Sequence, residues 1–168
     1  MSIQSLSPIM FESVSAVTAT PSVELGTRRI DAGNAYIYVY NDGNSQISQG
    51  LMGRNPATLS SGYSVTVTNA ASGAGGMFVV GVAHNATLTT GTYGWLMTRG
   101  VTYAVPDASA ISLNSGALLT DGVDGGFVSC IASAQTGVIQ AIRLGVALNS
   151  FVTAVGTGKI LFKSPLYS

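Results

Sequence analysis

Charge is scarce in this sequence. Only 8% of the 168 residues are Asp, Glu, Lys or Arg, against about 25% in ordinary globular proteins. Seven basic residues balance seven acidic ones. No nucleic-acid surface, acidic-membrane surface or charged-substrate funnel can be built from so few Lys and Arg. From Asn55 to Thr98 there is no charged side chain at all. Histidine and cysteine are single, His84 and Cys130. One cysteine excludes an intrachain disulfide, and the pair excludes a His/Cys zinc site. No apolar run approaches the ~18 residues of a membrane-spanning helix. The N-terminus lacks a basic n-region and carries Glu12, a poor match to a signal peptide.

What is present is a low-charge surface of Ser, Thr, Asn and Gln around many short apolar segments. Two readings of such a surface stand side by side. One is a compact Thr/Ser-faced β domain. The other is a domain covered by copies of itself or by a host scaffold, because weak charge gives weak colloidal repulsion.

Residues 1–27 differ from the rest. Pro8 and Pro21 oppose long regular elements, and Phe11–Ala19 fits a short helix or a strand. The segment reads as an extended N-terminal arm with apolar anchors at Ile3, Leu6, Ile9, Met10 and Phe11. Residues 28–168 read as one β domain. Ala35–Tyr40 is a Tyr-rich β segment closed by Asn41-Asp42-Gly43-Asn44. Tyr63–Thr68 alternates, and Met77–Val82 is a short apolar run. Trp95–Thr98 and Val101–Val105 read as two strands joined by a turn at Arg99-Gly100. Further strands are expected near 110–113, 117–119, 127–132, 138–147 and 159–162. Short strands with frequent turn signals predict an all-β antiparallel sandwich or barrel.

An internal echo supports this. Phe78-Val79-Val80-Gly81-Val82-Ala83-His84-Asn85 recurs, 64 residues later, as Ile142-Arg143-Leu144-Gly145-Val146-Ala147-Leu148-Asn149. Without a gap, Gly94, Leu96, Met97 and Arg99 then match Gly158, Ile160, Leu161 and Lys163. A duplicated β unit follows, with the two copies expected to pair about a pseudo-twofold.

Candidate chemistry is thin. A Ser-His-Asp site needs His84, yet its counterpart in the second copy is Leu148, so His84 reads as a packing or surface residue. Asp121 and Asp124 lie in a Gly-rich stretch and read as turn formers rather than calcium ligands, which require six to eight oxygens. Cys130 lies in a strand-like setting and reads as a buried small hydrophobe. No catalytic residue, cofactor or metal is expected. The Arg28-Arg29 doublet, where arm meets domain, is expected to face acidic groups on a partner. Trp95 reads as an interface or core anchor.

Three stretches resemble a family of small tailed-bacteriophage virion proteins. They are Leu25–Val39, then Gly81-Val82-Ala83 with Gly91–Gly100, then Gly116–Asp121 with Leu144–Ala147 and the closing strand. The likeness covers roughly residues 25–166, and its most specific part is the Gly-Trp segment at 91–100. Such proteins are similar to head decoration, or cement, proteins. The resemblance implies a β-rich, non-enzymatic structural protein, a homotrimer on the outer surface of the capsid. Its partners would be the major capsid protein and itself, with no nucleic acid and no membrane, and it would be made in the host cytoplasm. The alternative is a tail, baseplate or fibre component with a receptor-binding or adaptor role.

Overall fold

The computed structural model describes residues 12–55, 63–66, 78–106, 112–121, 126–129, 144–152 and 157–164. Among these residues there are thirteen strands and no helix. They are β1 (Val17–Thr18), β2 (Arg28–Asp31), β3 (Asn34–Asn41), β4 (Met52–Asn55), β5 (Ser64–Val65), β6 (Phe78–Val82) and β7 (Tyr93–Ala104). They continue as β8 (Ser112–Leu113), β9 (Leu118–Asp121), β10 (Phe127–Ser129), β11 (Gly145–Ala147), β12 (Phe151–Val152) and β13 (Gly158–Lys163). Eleven form one sheet, antiparallel except where β3 meets β5, and β8 and β12 form a separate pair. The all-β expectation holds.

The first half of the sheet closes on itself. β3 pairs β7, β7 pairs β6, β6 pairs β4, and Arg54 bridges Thr66 just beyond β5. β5 then returns to β3 in parallel at Tyr40 and Asn41. Among the described residues this ring of pairings is closed, which protects strand edges. Its interior holds Ile37, Val39, Ile47, Val65, Val80, Ala83, Leu88 and Leu96. The period-2 alternation of β3 explains the split: Ile37 and Val39 point in, while Tyr36 and Tyr38 point out.

The echo at 64 residues is a duplication of structure. Val82 pairs Met97 in the first copy, and Val146 pairs Leu161 in the second. Gly81 lies against the Met97 carbonyl as Gly145 lies against that of Leu161. The match extends beyond what the sequence reading caught. The Gly50 and Gly116 amides donate to the Ala83 and Ala147 carbonyls at 2.8 and 2.7 Å. Both glycines have left-handed φ, +86° and +82°, which suits a residue without Cβ. Strands β4, β6 and the first half of β7 therefore correspond to β9, β11 and β13.

The expected pseudo-twofold pairing is not what joins the copies. They run head to tail through β7. Tyr38 pairs Trp95 on the first half of that strand, and Tyr103, on the second half, pairs Lys159. The second half of β7 thus plays for copy two the part that β3 plays for copy one. This also corrects the expected turn at Arg99-Gly100. β7 is one twelve-residue strand, because β3 holds it up to Arg99 and β13 holds it from Arg99 onward. Gly100 sits at the handover with φ +143°.

Two more clusters lock the copies and the leading segment together. Met52, Val79 and Val82 of copy one pack with Ala104, Ala117, Leu119, Leu144, Ala147, Ile160 and Phe162 of copy two. Residues from 12 to 27, expected as arm, lie on the outer face of β3 and β7. There Val14 is buried beside Tyr36, Tyr38, Trp95 and Met97, with Val23 and Leu25 packed against them. The Tyr38 hydroxyl accepts from the Ser22 amide at 3.2 Å, and β1 pairs β7 at Gly94 and Tyr93.

Candidate functional site

Of the sequence-predicted contact residues, Arg28, Arg29 and Trp95 are among the described residues. Ile3, Leu6, Ile9, Met10 and Phe11 lie outside the described residues, as do Asp124 and Cys130. Arg28 is exposed on β2. Arg29 is turned inward: its guanidinium donates to the Glu12 carbonyl and lies 3.9 Å from the Asp31 carboxylate. Trp95 is buried, its ring 5.0 Å from that of Tyr38, so of its two expected roles it fills the core one. Asp121 is the last residue of β9 and pairs Phe127.

His84 is half-buried just after β6. Its Nδ1 lies 2.9 Å from the Thr102 hydroxyl, which can itself donate to the Tyr103 carbonyl at 3.2 Å. Which of the two donates follows the imidazole tautomer, since the Thr102 hydroxyl can either donate to Nδ1 or accept from it. The Tyr36 ring sits 6.2 Å away. Among the described residues, no three His, Cys, Asp or Glu side chains converge. Thr102 is buried and its hydroxyl engaged, so the arrangement acts as a clasp between the end of β6 and β7.

Burial holds the His84 pKa below its ordinary value of 6.5. The unfolded chain therefore binds the proton more readily. Stability is full above about 6.5 and falls as pH drops below it, the sign expected of a histidine kept neutral. Thermal unfolding at pH 7.5 and 5.5 should show a lower Tm at 5.5. His84→Leu, which installs the residue of the second copy, should shrink that difference. An unchanged difference in the variant would move the cause elsewhere.

A surface feature escaped the sequence reading. On the outer face of copy two, Leu118 pairs Val146, Val146 pairs Leu161, and Leu161 pairs Val101. The four side chains make an apolar row across β9, β11, β13 and β7. Leu161 and Val101 are 48% and 45% exposed, and Tyr103 and Leu148 extend the patch. The equivalent row of copy one is Met52, Val82, Met97 and Tyr36, joined by the same pairings. Every one of those is buried, at 3% exposure or less. Three cations flank the exposed row: Arg99, Lys159 and Lys163. Arg99 and Lys163 are direct cross-strand partners, an arrangement that like charges disfavour. Lys159 stands 6.0 Å over the Tyr103 ring. None of the three forms an ion pair among the described residues. The signal was available as the alternation Lys159-Ile160-Leu161-Phe162-Lys163, whose outward set is Lys, Leu, Lys.

No family model and no curated protein matches this chain. Among solved structures, the chain is similar to the head fiber gp8.5 N base of bacteriophage phi29. It shares 13% sequence identity at a TM-score of 0.48, over 76% of this chain and 94% of that one.

Proposed function

We propose that this chain is a non-enzymatic structural component of a tailed-phage virion, a decoration protein that binds the outer surface of the head and stabilises the shell. The observation that carries the reading is the uncovered apolar row. Among the described residues of a protein with so few charges, Leu161, Val101, Tyr103 and Leu148 stand exposed together, with Leu118 and Val146 half-buried beside them, and such patches serve attachment. The phage placing draws on the resemblance over residues 25–166, whose most specific segment, Gly91–Gly100, supplies the first half of β7.

The mechanism is thermodynamic. A protein that spans capsid subunits removes surface from water at their junctions, at roughly 25 cal/mol per Å² of apolar area. A contact of about 1,600 Å² is enough for firm attachment. The partners in this reading are the major capsid protein and further copies of the chain, arranged as a trimer. No step of this mechanism uses His84 or a carboxylate.

Copy number tests it. Quantitative mass spectrometry of purified virions should find the chain on the order of hundreds per particle, comparable with the major capsid protein. Cryo-EM should place its density on the head. A few to a few dozen copies, with density on the tail, would make it a tail or fibre component instead.

A further inference from the structure

We infer that the outer face of the second repeat, centred on Leu161, is the surface by which the protein docks, and that its occupant is an acidic protein surface with an apolar centre. The inference rests on the attachment role proposed above and names the face and partner chemistry for it.

The duplication provides a control within one molecule. In copy one, the row Met52–Val82–Met97–Tyr36 is buried by two things, the inner face of copy two and the segment 12–27. Copy two keeps the same apolar chemistry at the matching positions, where Leu118 and Val146 are half-buried but Leu161 and Val101 stand exposed, with no segment like 12–27 laid over them among the described residues. Its flanking position has changed in kind. Trp95, buried under residues 12–27, is matched by exposed Lys159. The change suits a face that meets a separate, charged molecule rather than its own chain.

The charges select the occupant. Three of the chain's seven basic residues, Arg99, Lys159 and Lys163, border one apolar row with no acid paired to them among the described residues. Two copies meeting through this face about a twofold would bring these cations together, which costs free energy. A partner carrying carboxylates around an apolar centre satisfies both the row and its rim. Rim charges of this kind act mainly on association rate and salt dependence.

The experiment uses the full chain and phage heads assembled without it. Wild type, Leu161→Ser, Lys159→Glu/Lys163→Glu and a control, Phe78→Ser, are each mixed with those heads and sedimented. Phe78 is exposed but lies off the row. Wild type and the control should bind alike. Leu161→Ser should bind at least tenfold more weakly. The double charge reversal should also bind at least tenfold more weakly at low salt, a deficit that narrows in high salt. Circular dichroism keeps loss of fold apart from loss of binding. If wild type fails to bind heads at all, the decoration reading fails. If wild type binds and both row variants bind equally well, the docking face is wrong while the decoration reading stands. If the protein is oligomeric in solution and Leu161→Ser makes it monomeric, a second copy is the occupant and the acidic partner is excluded.

Discussion

Gly145→Ala should destabilise the protein by about 3 kcal/mol, the upper part of the range for overpacking a close-packed site. The added methyl would meet the Leu161 carbonyl oxygen, a backbone atom that cannot rotate aside. Relief requires β11 to lift off β13, which strains the ladder formed at Gly145, Val146 and Ala147. For a chain of this length the change lowers Tm by about 6–12 °C. Gly81→Ala should behave alike, since its methyl would lie 2.6 Å from the Met97 carbonyl oxygen. Gly91→Ala separates close approach from backbone preference. Among the described residues nothing lies within 4 Å of its added methyl, but φ is +75°, so only the left-handed penalty of about 1 kcal/mol applies. The check is chemical denaturation of the three variants. If Gly145→Ala is no worse than Gly91→Ala, the two repeats do not share this seat.

Much of this architecture was legible in the sequence, for a reason these glycines show. Gly81 and Gly145 stand out because no other residue fits where one strand's backbone lies on another's, and so the 64-residue echo appeared. The extent of the repeat was not legible. β4 reads Met-Gly-Arg-Asn, with no β-branched or aromatic residue, and its twin β9 reads Leu-Leu-Thr-Asp. The sequence predicts a strand near 117–119 where β9 lies, whereas only pairing with β6 makes β4 one, and pairing is a tertiary fact. The Arg99-Gly100 step misled for the opposite reason. A charged residue and a glycine look like a turn, while two different neighbours hold β7 straight through them. The outward row was hidden because Leu161 and Val101 are far apart in sequence and meet only by register.

Trp95→Ala should cost about 4 kcal/mol, within the 3–5 typical of deleting a large buried aromatic. Trp95 sits between the outer face of the first repeat and the segment laid over it, among Val14, Tyr36, Tyr38 and Met97. Its removal leaves a hollow that Tyr38 cannot fill, because the Tyr38 hydroxyl is held by the Ser22 amide and the Thr18 hydroxyl. Two ends of the molecule should respond together: the global Tm falls, and residues 12–27 become open to proteolysis at native temperature. Trp95→Phe retains the ring and most of the volume. Among the described residues nothing accepts from the indole Nε1–H, so the smaller variant forfeits no hydrogen bond there and should stay within about 1.5 kcal/mol of wild type. The pair of variants also tests the core role that burial gives this tryptophan. A core residue loses stability in the isolated protein, whereas an interface anchor loses attachment with stability intact. Trp95→Ala with wild-type Tm and weakened binding to heads would return Trp95 to the surface, and with it the account of how residues 12–27 cover the first repeat while the second is left open.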